Sequence, residues 1–432
     1  MKKKLIFAAC LIIIAFLILI LISFWQGQTP MGWIDVPIGT GTVTRPYSDD
    51  LLYVLADNGK EYYVAGFDYT VTEAPDPKVN VPPVHKGLPV SGVLEEAFMG
   101  EGIVSIRLPS SVKAIEDRAF CKCIHLGEVF LGGGITDMGR SSFEKCTSLK
   151  SISIPRTVKR IGETAFLDCS SLKEAIFEDG AQIEKIGYGA FTGCTSLIEA
   201  RIPSSAPLSE LEGYVFENCT SLRSFSLPDS VRSILLYAFA NCTSLSDLHI
   251  GAGLERISEG AFIYCGNIKN ITVSEKNESF VSVGGCLLGN GMTELHRATD
   301  GALIPDSVKI IKPYAFSSCV GLTEIVLGNS VTMLGTGAFD GCTSLKSADL
   351  PKGISILHKD VFKGCSSLSS LTVRSNTLTC TPSAFSGCDS LKDIYFSGSE
   401  HEWDQFKSFF NQSTGKEWGD LFPKVTIHLN HQ

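Results

Sequence analysis

After its first four positions this 432-residue chain has no basic patch or stripe, and 37 Lys and Arg stand against 46 Asp and Glu. A nucleic-acid interface needs clustered cations to neutralise phosphates, so that partner class is excluded. No nucleophile elbow, P-loop, dinucleotide fingerprint or H-E-x-x-H motif occurs, and the eight histidines fall at unrelated places. Hydrolytic, nucleotide and metalloprotease chemistries therefore have no motif to stand on, and the expectation is no enzyme, no catalytic residue and no cofactor. What is plentiful is Ser, Thr and Gly, with hydrophobic residues at 44%. That balance suits a folded, β-rich protein and not a disordered chain.

Lys2, Lys3 and Lys4 precede an uncharged run from Leu5 to Trp25. It is long enough to cross a bilayer core of about 30 Å as a helix. No further Lys or Arg comes before Arg45, which predicts a cytoplasmic N-terminus and a single pass of the cell membrane through residues 5–25, with everything later extracellular. A cleaved signal peptide is the alternative over 1–25; its apolar region usually runs about 7–15 residues and ends in an A-x-A-like site, absent here. Residues 26–50, rich in Gly, Pro and Thr, read as a linker.

From residue 97 onward one pattern recurs. It is marked by Phe98, Phe120, Phe143, Phe166, Phe191, Phe216, Phe239 and Phe262, and again by Phe316, Phe339, Phe362 and Phe385, mostly 23 residues apart with one gap of 54. Within a unit, Leu149, Ile152, Ile154, Val158 and Ile161 mix a period-2 strand signal with turns, and no helical stripe of ten or more residues appears. Pro155 and its equivalents Pro109, Pro228, Pro305 and Pro351 end the strand, because proline has no donor for the ladder. Such a unit cannot bury its own apolar side. The fold expected is a repeat solenoid, a β-rich leucine-rich-repeat fold with one parallel strand per rung over 97–390 and a hairpin-like insertion at 274–301. A β cap over 51–96 leads in, and a short helix-strand cap over 391–432 closes it. In the latter, Ser399 and Glu402 have capping-box spacing and Trp403, Phe406 and Phe410 share a helical face.

Ala165, Phe166, Cys169, Ser171 and Leu172, repeated as Ala190, Phe191, Cys194, Ser196 and Leu197, resemble the BspA-type, or Treponema-type, leucine-rich repeats of surface proteins. The resemblance covers about residues 51–432, insertion and terminal segment included. The chain departs from the general leucine-rich signature in having Pro155 and Thr157 after the strand and its cysteine beyond the phenylalanine. The resemblance implies an interaction or adhesion module whose partner is a protein of a host, a matrix or a neighbouring cell, with a surface glycan as the other candidate.

Eleven of the fifteen cysteines stand three residues after a repeat phenylalanine. One reading is a column of buried thiols packed on the phenylalanines; the other is metal binding or disulfides, which exported proteins use. Stacked side chains point the same way, whereas a disulfide needs convergent Cβ vectors and zinc needs ligands around one point, so the packing reading is preferred. Cys121, Cys123 and His125 approach a metal motif without C-x-x-C spacing, and Asp247 and His249 with nearby serines are the one place where a catalytic group could assemble.

Strand alternation turns two residues per rung outward. The first outward column includes Glu128, Glu174, Glu199 and Asp247; the second includes Phe130, Ile176, Arg201, His249, Val326 and Tyr395. Across the interruption the columns step from Asn270 and Thr272 to Glu324 and Val326. These ten residues are the candidate partner-binding face, centred on Phe130 and Ile176, although scattered exposed apolar residues are also ordinary on strands.

Overall fold

In a computed structural model, residues 48, 50–70, 75–381, 383–415 and 417–430 are described. Leu51–Leu55 and Tyr62–Phe67 form an antiparallel hairpin, and Tyr62–Phe67 then pairs in parallel with Leu88–Val93. From there the chain winds as a solenoid with two columns of parallel strands. The longer strands make one face: Ser105–Arg107, Glu128–Phe130, Ser151–Ile154, Glu174–Phe177, Glu199–Arg201, Ser224–Ser226, Asp247–Ile250 and Asn270–Val273, resuming at Glu324–Val326 and running to Asp393–Phe396. Two-residue strands such as Ala114–Ile115, Asp137–Met138 and Arg160–Ile161 make the second column. Pairing is residue for residue, Ser151 opposite Glu174 and Ile152 opposite Ala175. This fixed register keeps the same positions inward and the same positions outward from rung to rung within a ladder. After the two-residue strand the rungs nearly touch: a Cβ on Gly162 would lie 2.4 Å from the carbonyl carbon of Gly139.

The third corner carries the repeat phenylalanines. Their rings stack with centroids 5.0–5.5 Å apart from Phe98 through Phe262, and at 5.0, 5.3 and 6.0 Å from Phe316 to Phe385. Each such pair adds about 0.5–1.5 kcal/mol to the area it buries. From Phe98 to Phe362, residues two before and two after each ring take left-handed backbone, as at Arg118 and Lys122 around Phe120 (φ 55° and 62°) and Tyr214 and Asn218 around Phe216 (60° and 59°). These reversals aim backbone N–H groups along the stack, so that Phe120 donates to the carbonyl of Ser142 and Phe143 to that of Ala165.

The cysteines complete this corner. All are free and buried among the described residues. Every ladder thiol but that of Cys319 donates to the carbonyl of the phenylalanine one rung earlier, as Cys146 to Phe120 (3.2 Å), Cys194 to Phe166 (3.2 Å) and Cys388 to Phe362 (3.0 Å). The packing reading thus gains a direction: the ladder is a line of S–H···O=C bonds between rungs. Burial pushes the thiols of Cys123, Cys319 and Cys388 up to about 12.

At the interruption, Phe280–Val283, Cys286–Gly289 and Glu294–Ala298 form antiparallel pairs, and Glu294–Ala298 rejoins the second column through Ile310–Ile311. Ala298 stands where a phenylalanine stands elsewhere: its N–H bonds the residue before Phe316, and the Cys319 thiol donates to its carbonyl. Beside the missing ring lies Arg297, 1% exposed. Its guanidinium donates to the carbonyls of Cys265 (2.6 Å), Ser317 (3.0 Å), Tyr314 and Ala315. Arg297 therefore spans the seam between two hydrophobic core clusters, one reaching Leu287 and the other beginning at Cys286.

The chain closes with helix α1, Glu400–Thr414, begun by the reciprocal Ser399 and Glu402 capping box and ended by left-handed Gly415. Trp403, Phe406 and Phe410 are buried. Helix α2, Trp418–Leu421, follows, and Trp418 and Phe422 meet the Phe385 ring edge-on, covering the end of the stack. Thr426–His428 pairs in parallel with Asp393–Phe396.

The single N-terminal transmembrane helix expected over 5–25, and the single-pass membrane location built on it, are corrected. Residues 5–25 lie outside the described residues, and among the described residues no helix is long and apolar enough to cross a membrane. The longest, α1, has 15 residues and five charged or histidine side chains in EHEWDQFKSFFNQST; at 1.5 Å per residue it spans about 22 Å, short of a bilayer core of about 30 Å.

Candidate binding face

The outward columns fall on four successive ladders, not on one unbroken sheet. Glu128 and Phe130 share a ladder with Ser105–Arg107; Glu174, Ile176, Glu199 and Arg201 share the next; Asp247 and His249 lie in the third; Val326 and Tyr395 lie in the fourth. Phe130 and Ile176 are thus separated by a ladder boundary as well as by Ser153, which pairs with Ile176. Phe130 is 43% exposed, and the Arg107 guanidinium sits 4.2 Å above its ring centre. Ile176 is half-buried, between Ser153 and Arg201 in register. The intended centre of the face is therefore less apolar to a visitor than its residue types suggest.

Polar members of the columns are tied to one another. Arg201 donates two bonds to the Glu199 carboxylate, 3.0 and 2.9 Å, and this pairing raises the guanidinium further above its ordinary value. Asp247 accepts from the hydroxyl of Ser246 and from the Asn270 amide (2.6 Å), which hold its carboxyl below the usual range. His249 Nδ1 pairs with the Thr272 hydroxyl at 2.9 Å. Asp247 and His249 thus engage the next rung and form no acid–base relay with a serine. Together Glu199, Arg201, Ser224, Ser226, Asp247 and His249 line an open depression of about 260 Å³. Farther along, Tyr395 stacks on His428 at 4.4 Å, and Asp349 is paired with Arg374. Glu128 and Glu174 are exposed.

Among the described residues no group of three His, Cys, Asp or Glu is placed to hold a metal ion. Two surface features fall outside the sequence-derived columns. Leu303, at 77%, is the most exposed large hydrophobic residue described. It stands thirteen residues before Phe316, as Ser153 stands before Phe166, so counting back from the phenylalanine places it in the second outward column. Tyr188, Tyr214 and Tyr237 form a staircase beside the phenylalanine corner, with ring centres 5.1 and 5.2 Å apart. Tyr214 and Tyr237 sit two before a repeat phenylalanine, a signal that was present in the spacing.

The family model for the BspA type leucine rich repeat region, in six copies, matches residues 92–206, 177–283 and 299–414. A leucine rich cell surface protein from Faecalibacterium prausnitzii is 26% identical with a TM-score of 0.60, covering 88% of this chain and 98% of its own. A leucine-rich repeat protein from Bacteroides ovatus is 27% identical with a TM-score of 0.58 and the same coverage of 88% and 98%. The pneumococcal vaccine antigen PcpA, 20% identical with a TM-score of 0.52 over 88% of this chain and 92% of its own, shares the fold. None of the curated proteins matches the chain.

Proposed function

The chain belongs to the BspA-type leucine-rich-repeat family, and from that premise we propose that it is an exported protein that binds another protein, or adheres to one, at a cell surface. Proteins of this family and fold are typically non-enzymatic scaffolds, and leucine-rich-repeat proteins generally bind proteins. The surface placement draws on the relative from Faecalibacterium prausnitzii, described as a cell surface protein. The observation that carries the reading is the outward strand face. Rung after rung it presents two residues that the core does not use, in fixed register within each of the four ladders, from Ser105 to Thr272 and again from Glu324 to Tyr395. Such an extended face fits a large, rigid ligand better than a small molecule, which needs a concave pocket.

The face is acidic at Glu128, Glu174 and Asp247, while Arg201 neutralises Glu199, so association with a basic partner should weaken as salt rises. Surface glycan binding is the second reading, favoured by the tyrosine staircase of Tyr188, Tyr214 and Tyr237, since sugars pack on aromatic rings. Presenting the full-length chain to arrays of extracellular proteins and of glycans separates the two. Retention of a protein, competed by salt, supports the first reading; retention of glycans alone overturns it.

A further inference from the structure

The largest apolar exposure on the outward face lies where the repeat is interrupted. Leu303 and Val326 occupy equivalent second-column positions in consecutive rungs, 77% and 69% exposed. Leu303 lies outside the strand ladders, three residues before Asp306, and the Asp306 carboxylate approaches Gly328, two residues past Val326. The inserted hairpin extends the patch. The Leu303 N–H bonds the carbonyl of Gly284 at 2.7 Å, and a Cβ on Gly284 would lie 3.2 Å from that of Leu303. Val283 precedes that glycine, and Val281 lies on the same side of its strand, each 38% exposed. Everywhere else on the second column an apolar group is isolated or covered, as Phe130 is by Arg107.

Acids stand at both ends of the pair. Exposed Glu324 opens the strand that carries Val326, and exposed Asp306 follows Leu303. The Asp306 carboxylate lies 3.6 Å from where a Cβ of Gly328 would be, just past Val326. A small apolar patch between carboxylates matches a segment with apolar residues at its middle and cations at both ends.

We propose that Val281, Val283, Leu303 and Val326 form the anchoring patch for an extended, basic-flanked, apolar-centred segment of a protein partner. This rests on the protein-binding reading and names the part of the face that holds the partner and the chemistry it selects. The apolar anchors slow dissociation, and Glu324 and Asp306 set the preference for positive charge. The insertion then has a role: by replacing a full rung with a hairpin it brings two valines beside a column where most rungs offer one polar residue.

The test uses the full-length chain and three labelled peptides, acetyl-KKLVLKK-amide, its glutamate counterpart EELVLEE and the serine-centred KKSSSKK, followed by fluorescence anisotropy. The first should bind saturably below about 1 mM and the other two at least about tenfold more weakly. Leu303→Ser with Val326→Thr should weaken the first peptide by at least about tenfold, while Phe130→Ser with Ile176→Thr leaves it within about twofold. Both pairs change outward residues, and unchanged thermal unfolding verifies the fold. The proposal is overturned by equal binding to the Leu303/Val326 variant, by equal binding of EELVLEE, or by no saturable binding of KKLVLKK. Failure of the broader reading shows separately, as no protein retained on the extracellular array.

Discussion

Arg297 gives the sharpest test of how the interruption is held together. Its side chain is 1% exposed and, among the described residues, has no carboxylate ion partner. It donates to carbonyls on both sides of the seam, Cys265 at 2.6 Å and Ser317 at 3.0 Å being the strongest. Hydrogen bonds from a charged donor are worth about 1.5–3 kcal/mol each, and losing two of them leaves buried carbonyls short of donors. Arg297→Ala also empties the space of the missing ring. The net cost, after relief of the cation's desolvation, is expected at about 3–5 kcal/mol, the range for orphaned buried polar groups and large cavities. Arg297→Met loses the same bonds but keeps the volume and removes the buried charge, so it should retain at least about 1 kcal/mol relative to Ala. Urea unfolding followed by far-UV circular dichroism measures both. A loss under about 1 kcal/mol for Ala, or equal losses for Ala and Met, would refute the reasoning.

Three further outcomes are expected. Lys122 is exposed with φ 62°, so Lys122→Gly should leave urea stability unchanged or raise it by up to about 1 kcal/mol, while Lys122→Val should lower it by about 1–2 kcal/mol, the reverse of the usual order for glycine. Burial lowers the His296 pKa from 6.5 to about 4, with Lys312 adding to the shift and Glu294 opposing it. The folded state therefore holds this ring neutral: its contribution is fully present above pH 6.5 and is lost as pH falls toward 4, by about 2 kcal/mol at pH 5. His296→Gln should flatten that part of the pH–stability curve, and an unchanged slope counts against it. The ladder thiols, being buried, should react slowly with a thiol reagent when folded and all eleven should titrate in denaturant without reductant; fewer than half would revive disulfides or a metal.

Periodic features were legible in the sequence because every rung must satisfy the same contacts. The phenylalanine spacing placed the stack, and the cysteine offset placed the thiols inside; alternation in segments such as Ser151–Ile154 separated outward from inward residues. The cap was readable from Ser399, Glu402, Trp403, Phe406 and Phe410, since capping and amphipathic spacing are local. What escaped were features with no period. Arg297 is a single charged residue in an irregular segment, and its burial follows only from the absent ring at Ala298. Left-handed backbone beside the phenylalanines is supplied by Glu, Arg, Lys, Ser, Thr, Asp, Tyr, Asn or Gly in different rungs, so no one residue type announces it. Leu303 carries no strand signal because its segment lies outside the ladders; only counting back from Phe316 marks it. The S–H donors of the ladder needed coordinates, since spacing gives position and not direction.

The central claim is that the outward strand face binds a protein. The most direct measurement takes the full-length chain and a variant carrying Phe130→Ser, Ile176→Thr, Leu303→Ser and Val326→Thr, and compares their affinities for whichever extracellular protein the array retains. All four side chains point away from the core, so the variant should unfold as the parent does. With two anchors engaged at about 2 kcal/mol each, affinity should fall by several hundredfold or more. Unchanged affinity in a verified fold would contradict the account and move binding off this face.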